Sequence, residues 1–444
     1  MNSMTSIANI SQQGINRSVP RSGIQYYSRW RQIPMKLRFA FSLLQYAARR
    51  KEYPLFSFKS LRPIRKGKIL AIHRVSVLDS YCYTTTMRVP RWPSPAFDHM
   101  ISNGGLGMES DTLARKKHVD SVILAITRKC NYECEHCYEY ANRADVDTIP
   151  VDTWKNVIAE LQGFGVSVII LSGGEPMLRY EDLITILESA DKGLSDFHLH
   201  TTGIGMSLDR AQALKKAGLV AAGVGLDYPD AVRHDRFRGR QGAYEVAVKA
   251  IDQLNRARIF TYINTCLQKD SVRNGDLWKL LDLAKNLQIG TINFLEPKSC
   301  GRYGSRKPDD LFTNEDKERM AEFASKVNRG RAYKNYPPVS YIAPAEKPEN
   351  FGCLMGGLSH FTIDGAGNVN PCVFVPVSFG NILDEDFGVI YKRMRSVISR
   401  PIRTQCPSGL LCETLAQHRN GANASAVPYA AVRQTWQRLF ADDP

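Results

Sequence analysis

The chain has 444 residues, of which 43% are hydrophobic and 23% charged, and its formal net charge at pH 7 is +15. This length suits two or three domains, and the composition is that of a globular protein. No run reaches the ~18 apolar residues that span a bilayer, and the start lacks a secretory signal pattern. We therefore expect a cytoplasmic protein.

The positive charge is concentrated near the N-terminus. Residues 1–70 contain 14 Lys or Arg and a single acid, Glu52, whereas the remaining 374 residues are almost neutral. Such an arm attracts anionic partners, so it predicts peripheral membrane contact through residues 1–70, with a solvated extension as the alternative. Few aromatic residues interleave with these charges, so a nucleic acid partner is not expected.

Residues 35–51 have helical spacing of apolar residues and a basic end. This pattern predicts a helix that docks on the main domain. A membrane-surface helix and an organelle transit peptide remain open as alternatives.

From residue 119, strand-length apolar runs alternate with segments of helical periodicity. The predicted strands are 121–127, 166–172, 197–202, 221–227, 260–267 and 291–297. The predicted helices are 151–163, 180–193, 208–217, 243–257, 274–288 and 314–328, the last with capping-box spacing from Thr313 to Asp316. The alternation predicts an α/β fold with a parallel sheet, either doubly wound or curled into a full or partial barrel. In both, ligands bind at the carboxyl ends of the strands.

Three cysteines follow the first predicted strand directly. Cys130, Cys134 and Cys137 have the spacing C-x₃-C-x₂-C on one loop. Thiolates hold iron–sulfur clusters, and three ligands for four irons leave one iron open to a chelating molecule. A structural zinc site needs four ligands, so zinc is the weaker alternative, with His136 as an additional donor.

This pattern, placed after the first strand of a βα repeat, resembles the signature of the radical S-adenosylmethionine (SAM) superfamily. The resemblance implies a partial (β/α)6 radical SAM barrel and a [4Fe–4S] cluster on Cys130, Cys134 and Cys137. It also implies that SAM binds the open iron and is split into methionine and a 5′-deoxyadenosyl radical, which abstracts a hydrogen atom. A reductant such as flavodoxin or ferredoxin is then required.

Two further strand ends support the resemblance, which covers roughly residues 119–300. The second predicted strand runs into Ser172-Gly173-Gly174-Glu175-Pro176, similar to the family's GGE-P segment that contacts the SAM amino group. The third ends at Thr202, similar to the family's ribose-contacting strand end. The residues predicted to seat SAM are therefore Gly173, Gly174, Glu175 and Thr202.

The fourth predicted strand leads into the run His234-Asp235-Arg236-Phe237-Arg238-Gly239. This resembles a run common in the branch of the family that modifies peptides, although Tyr228 stands where that branch has glycine. Asp227, at the strand tip, is interpreted either as lining the substrate site or as capping a loop.

A second set of cysteines lies in the last hundred residues: Cys353, Cys372, Cys406 and Cys412. Together with Gly367, the first two resemble the C-x₉₋₁₅-G-x₄-C pattern of the SPASM extension, here in a shortened form called twitch. The resemblance implies an auxiliary [4Fe–4S] cluster that accepts an electron, either fully ligated or with an open site. A zinc ribbon is the alternative, and a β-hairpin is predicted around residues 364–367. Cys82, Cys266 and Cys300 are predicted to be buried apolar residues.

These patterns divide the chain into a basic N-terminal extension (1–118), a radical SAM core (119–330) and a small cysteine-rich auxiliary-cluster domain (331–444). The predicted function is reductive cleavage of SAM coupled to oxidative modification of a ribosomally made peptide. The alternative substrate is a lipid, quinone or tetrapyrrole at the membrane surface. A cluster-binding protein without catalysis is disfavoured because the cysteine loop and Glu175 are both intact.

Overall fold

A nine-stranded sheet in the order β10-β9-β8-β7-β6-β5-β4-β11-β12 organises the chain. We analysed a computed structural model, which describes residues 23–28, 74–103, 105, 119–418 and 426–440. All neighbouring strands from β10 to β11 are parallel, and β12 alone runs antiparallel to its neighbour. The fold is therefore a mostly parallel α/β sheet.

The strands of the described residues are β1 Gln25–Ser28, β2 Arg74–Leu78, β3 Tyr81–Tyr83, β4 Val119–Thr127, β5 Val166–Gly173, β6 Asp196–Thr201, β7 Leu219–Gly225, β8 Phe260–Cys266, β9 Ile292–Leu295, β10 Val339–Tyr341, β11 His360–Ile363, β12 Val369–Asn370, β13 Val377–Ser378 and β14 Val427–Pro428. The helices are α1 Pro95–Ser102, α2 Val151–Gly163, α3 Tyr180–Ser189, α4 Leu208–Ala217, α5 Ala231–Arg238, α6 Ala243–Arg256, α7 Lys269–Arg273, α8 Asp276–Asn286, α9 Pro308–Leu311, α10 Asn314–Arg329, α11 Phe387–Val397, α12 Pro407–His418 and α13 Tyr429–Phe440.

The predicted βα alternation is confirmed from residue 119 onward. The six predicted strands correspond to β4–β9, and the six predicted helices to α2, α3, α4, α6, α8 and α10. The predicted capping box of α10 is present, because Thr313 Oγ1 accepts from Asp316 N at 3.3 Å while Asp316 Oδ2 accepts from Thr313 N at 3.0 Å. Helix α5 was not predicted, because its mostly charged sequence shows no apolar stripe.

The two faces of the sheet are buried in different ways. One face packs on the helices through a large apolar cluster that includes Trp154, Leu171 and Phe197. On the other face polar side chains pair with one another: His200 Nε2 lies 2.8 Å from Tyr262 Oη. These buried polar groups are stable there because they satisfy each other's hydrogen bonds.

The segment 74–103 closes the amino ends of the strands. Tyr83 stacks on Phe260, at the start of β8, with ring centroids 3.8 Å apart. Arg91 N donates to Asp196, at the start of β6, at 2.8 Å, and Ser76 Oγ donates to the backbone just before β9. The carboxyl ends of the strands are therefore the accessible end of the sheet.

The chain beyond residue 330 contributes to the same sheet through β10, β11 and β12. The predicted hairpin is confirmed: β11 and β12 are antiparallel, with Thr362 opposite Asn370. The predicted domain boundary at residue 330 thus falls within a continuous sheet, and the division into domains stays a prediction.

The predicted helix at 35–51 and most of the basic arm lie outside the described residues. No helix in the described part of the chain is long and apolar enough to cross a membrane.

Candidate active site

The first cysteine set lies on the loop that leaves β4 at the open end of the sheet. Cys134 is buried and Cys130 and Cys137 are partly buried, and all three pack in one small cluster with Tyr132 and Ala243. Burial, and then the neighbouring Cys134 charge, raise the pKa of Cys137 to about 12. Three crowded thiols of this kind become favourable ligands when a positively charged iron centre compensates their charge.

The two glycines after β5 allow the next loop to pack directly on the cysteine loop. A Cβ atom on Gly173, which has φ +128°, would lie 2.4 Å from Thr127 O, and one on Gly174 would lie 2.1 Å from Lys129 O. Because glycine has no Cβ atom, the two loops can approach, and Gly174 N donates to Thr127 O at 2.8 Å and Glu175 N to Lys129 O at 2.7 Å. The glycines are therefore required by the close approach of two backbones.

Glu175 is fully buried and joins the ends of β5 and β6. Its Oε1 accepts from Met177 N at 3.0 Å and from Thr201 Oγ1 at 2.7 Å. Its Oε2 accepts from both N and Oγ1 of Thr202, each at 2.6 Å. Burial raises the pKa of Glu175, and these hydrogen bonds oppose the rise. A carboxylate has about four acceptor positions, and these four donors occupy them. An ammonium group that bound Glu175 would therefore have to share the carboxylate oxygens with these donors.

Asp227, at the tip of β7, points into protein. Its Oδ2 accepts from Arg238 Nε at 2.6 Å, and its Oδ1 accepts from Cys266 N at 2.9 Å. Burial alone would raise the pKa of Asp227, but the charges of Arg238 and two histidines hold it below the usual range. Asp227 thus belongs to a buried ion pair, a role that neither interpretation of the sequence anticipated.

The end of helix α5 supports the cysteine loop. Glu133 N donates to Arg238 O at 3.1 Å, and Glu135 N donates to Phe237 O at 2.9 Å. The Phe237 ring stacks on His136 with centroids 4.7 Å apart, and a Cβ atom on Gly239 would lie 2.5 Å from Glu133 O. The run from His234 to Gly239 was the sequence signal for this support, but its contact with the cysteine loop was missed.

A second support comes from the turn after β9. Arg302 N donates to Cys137 O at 3.0 Å, and a Cβ atom on Gly301 would lie 2.2 Å from the same carbonyl. Arg302 also forms an ion pair with Glu133. The cysteine loop is therefore held on both sides by segments distant in sequence.

Three of the four C-terminal cysteines lie within electrostatic range of one another. Burial raises the pKa of Cys353 well above its usual value, and the nearby Glu346, Cys406 and Cys372 charges add to the rise. Burial, and to a smaller extent Cys406, raise the pKa of Cys372 to about 12. Cys412 lies on α12, five residues beyond the start of that helix.

One aromatic contact links the chain segments that carry the two cysteine sets. Tyr138, which follows Cys137, meets Phe374 edge to face with ring centroids 6.4 Å apart. Phe374 lies two residues after Cys372. Contact between these rings joins the neighbourhoods of the two sets.

The cysteine loop offers thiols, which are the donors that hold iron–sulfur clusters. Across the residues that the structure describes, no three His, Cys, Asp or Glu side chains converge closely enough to hold one metal ion. Free thiols in an apolar setting, as at Cys130, Cys134 and Cys137, are the donors that such a cluster requires.

Comparisons with known proteins support this interpretation of the site. Residues 124–283 match the Radical SAM superfamily. The chain is 31% identical over 315 residues to the Fe-coproporphyrin III synthase of Methanosarcina barkeri, a match that covers 64% of this chain and 77% of that enzyme. It is 24% identical to the PqqA peptide cyclase of Gluconobacter oxydans, with 69% of this chain and 89% of that enzyme covered.

The fold has solved counterparts. The crystal structure of Streptococcus suis SuiB bound to S-adenosylmethionine matches with a TM-score of 0.53 and 14% identity, covering 85% of this chain and 83% of SuiB. The residues that match the Radical SAM superfamily, 124–283, include the cysteine loop after β4 and the glycine segment after β5. This chain belongs to the radical SAM superfamily and is a radical SAM enzyme.

Proposed function

We propose that Cys130, Cys134 and Cys137 hold a [4Fe–4S] cluster whose open iron binds SAM, and that the enzyme uses it to modify a substrate oxidatively. When bound, the cluster and SAM supply methionine and a 5′-deoxyadenosyl radical that removes a hydrogen atom from the substrate. The observation that carries the proposal is the backbone contact of Gly173 and Gly174 with the cysteine loop. That contact brings together the cysteine loop and the glycine segment after β5, the two motifs that resemble the radical SAM signature.

The residues of the chain then have separate tasks. Gly173 and Gly174 let the loop after β5 pack directly on the cysteine loop, which brings that loop beside the proposed cluster and SAM. Glu175 fixes the end of β6 through its bonds to Thr201 and Thr202. Thr202 therefore has a fixed position from which to contact SAM, which is the preorganisation that radical control requires.

A partial (β/α)6 barrel would enclose this site. Support comes from the consecutive parallel order of β4–β9 and from the polar pairs on the sheet's second face, such as Asn264 and Asn293 at 3.0 Å. The stack of Tyr83 on Phe260 closes the amino end. Solvent would then reach the site from the carboxyl end alone, where a substrate can displace it.

We also propose a SPASM- or twitch-like auxiliary [4Fe–4S] cluster on Cys353, Cys372, Cys406 and Cys412. Support comes from electrostatics: the charges of Cys406 and Cys372 add to the raised pKa of Cys353, and the charge of Cys406 adds to the raised pKa of Cys372. Lys298 lies near them, and although burial opposes its charge, Cys406 and Glu296 raise the pKa of Lys298. A cation beside the set would favour a cluster that accepts an electron from a substrate radical.

For the substrate, we propose a tetrapyrrole. The Fe-coproporphyrin III synthase of Methanosarcina barkeri is 31% identical to this chain and is covered over 77% of its length. A ribosomally made peptide is the second candidate, supported by the match to PqqA peptide cyclase at 24% identity. The higher identity favours the tetrapyrrole.

The test is an anaerobic assay with SAM, dithionite and a panel of tetrapyrroles that includes iron coproporphyrin III, which the Methanosarcina barkeri enzyme makes by its name, and tetrapyrroles from which it could be formed. We expect tetrapyrrole-dependent release of 5′-deoxyadenosine and a mass change in the tetrapyrrole. SAM cleavage that no tetrapyrrole stimulates would contradict a tetrapyrrole substrate and favour a peptide substrate. A reduced, iron-loaded protein that never cleaves SAM would contradict the reaction itself.

A further inference from the structure

The cysteine loop carries a group of arginines that the proposed reaction does not use. Arg143, Arg240 and Arg302 come from three separate segments of the chain, and each donates a side-chain hydrogen bond to a backbone carbonyl of the loop. The acceptors, in the same order, are Cys130 O at 3.0 Å, Asn131 O at 3.0 Å and Glu133 O at 3.1 Å. We call these three arginines the arginine collar.

The loop presents alternate residues to solvent. Asn131, Glu133 and Glu135 are exposed, whereas Tyr132 and Cys134 between them are buried. All three arginines of the collar are partly exposed, so their charges are accessible from solvent. The loop therefore has an outer side that a second molecule can contact.

A surface cleft beside this outer side reaches the first cysteine of the loop. Its lining includes Cys130, Tyr140 and Arg143. Tyr140 is 41% exposed, and Arg302 lies over its ring at 4.2 Å. Tyrosine and arginine are the residue types enriched at protein interfaces and among the residues that dominate their binding energy. The cleft thus combines features of an interface with access to a proposed cluster ligand.

The net charge of this surface is positive after its acids are counted. Glu133 forms ion pairs with both Arg143 and Arg302, so it offsets only one of their two charges. Arg240 donates to a carbonyl and lies over the Tyr132 ring at 5.3 Å. The cations of the loop, the cleft and the adjoining end of α5 are Arg128, Lys129, Arg143, Arg236, Arg240 and Arg302, and the acids are Glu133, Glu135, Asp145 and Asp147. Six cations against four acids leave a net charge of +2.

We propose that this surface docks an acidic one-electron carrier protein, which delivers the electron that SAM cleavage consumes. The inference rests on the proposed cluster at Cys130, Cys134 and Cys137. The carrier is oxidised by one electron, and the first cluster is reduced by the same electron. A positive surface attracts and orients an acidic partner, and salt screens that attraction. Docking at the cleft brings the carrier next to Cys130.

A purely structural role for the arginine collar makes a different prediction. Each of the three arginines bonds a carbonyl of the loop, so their loss could loosen the loop. SAM cleavage would then slow equally with every reductant. Dithionite is a small reductant that needs no protein docking surface, and a comparison of dithionite with a carrier protein therefore separates docking from loop support.

The test compares a flavodoxin, as the acidic one-electron carrier, with dithionite on the iron-loaded full chain. The main variant combines Arg143→Gln, Arg240→Gln and Arg302→Gln, which removes three charges and keeps hydrogen-bond donors. At low ionic strength we expect calorimetry to show about tenfold weaker flavodoxin binding, with a similar loss of flavodoxin-driven 5′-deoxyadenosine release. The dithionite-driven rate should change by less than about twofold, and high salt should shrink the binding difference.

The control variant combines Arg256→Gln, Arg319→Gln and Arg393→Gln, which removes the same number of charges from α6, α10 and α11. It should bind flavodoxin like the wild type. Equal binding by the two triple variants, or equal loss with flavodoxin and dithionite in the main variant, would overturn the inference. So would wild-type protein that cleaves SAM with dithionite but binds no flavodoxin.

Two charge reversals decide the matter if the main variant fails to hold iron. The hydrogen bonds of Arg236 and Glu135 in the described structure are made by their backbones. Arg236→Glu should weaken flavodoxin binding and Glu135→Lys should strengthen it, each by about threefold. Unchanged binding, or a change in the same direction in both, would overturn the inference. Iron-loaded wild-type protein that does not cleave SAM with dithionite would instead contradict the proposed function.

Discussion

The two cysteine sets are built in different ways. Cys130, Cys134 and Cys137 lie within eight residues of one loop, whereas Cys353, Cys372 and Cys406 come from three segments spread over more than fifty residues. The first set is confined by backbone contacts with Gly174, and the second depends on tertiary packing alone. The first set is therefore defined by local spacing alone, whereas the second set, although the sequence suggested it, joins segments that only the tertiary fold can bring near one another.

The largest expected effect comes from replacing Cys130, Cys134 and Cys137 with alanine together. We expect iron to fall from about eight to about four atoms per chain, because one of two four-iron clusters loses its ligands. SAM cleavage should fall to the background rate. Iron and sulfide analysis after anaerobic reconstitution measures this, and four irons in the native chain with none in the variant would show that the second set holds no cluster.

Gly174→Ala tests whether the backbone contact confines the first set. The added Cβ would lie 2.1 Å from Lys129 O, so one of the two loops must move. A displacement near 1 Å at a reaction centre costs on the order of 100-fold, and we expect a loss of that size in SAM cleavage. Gly163→Ala is the matched control, because its Cβ would meet nothing within 4 Å.

The contrast would fail if Gly174→Ala cleaved SAM as fast as Gly163→Ala. In that case the glycines would not be required by the approach of the two loops. Thermal unfolding of both variants would show whether the loss reflects the site or the whole fold.

Cys372→Ala separates the tasks of the two sets. We expect product formation to be lost while SAM cleavage falls by no more than about tenfold, because the second set acts after the radical has formed. Counting 5′-deoxyadenosine and product in the same reaction measures both steps. Equal loss of both would contradict a role for the second set downstream of cleavage.

Glu175→Gln should have the smallest effect. Gln replaces one acceptor oxygen with an NH2 group, which cannot accept from the N–H and O–H donors that it faces, and this costs about 1–3 kcal/mol of folding free energy. Denaturant unfolding measures this loss, with the exposed Glu160→Gln as the control. If stability is unchanged but SAM binding is lost, Glu175 contacts the ligand directly and does not act by fixing Thr202.

Much of the fold could be predicted from the sequence because its signals are local. The apolar runs of β4–β9 and the helical periodicity between them depend on neighbouring residues. The short strand β10 and the charged helix α5 were missed, since neither carries such a periodicity. They form because tertiary contacts stabilise them.

The sequence by itself determined the first cysteine set, the glycine segment after β5 and the superfamily they indicate, because each motif lies within a few residues. Only the tertiary structure decided that Asp227 pairs with Arg238, that Glu175 is already fully hydrogen-bonded, and that Cys353, Cys372 and Cys406 come within electrostatic range of one another. These contacts join residues distant along the chain, and no local pattern specifies which distant side chains share a buried space.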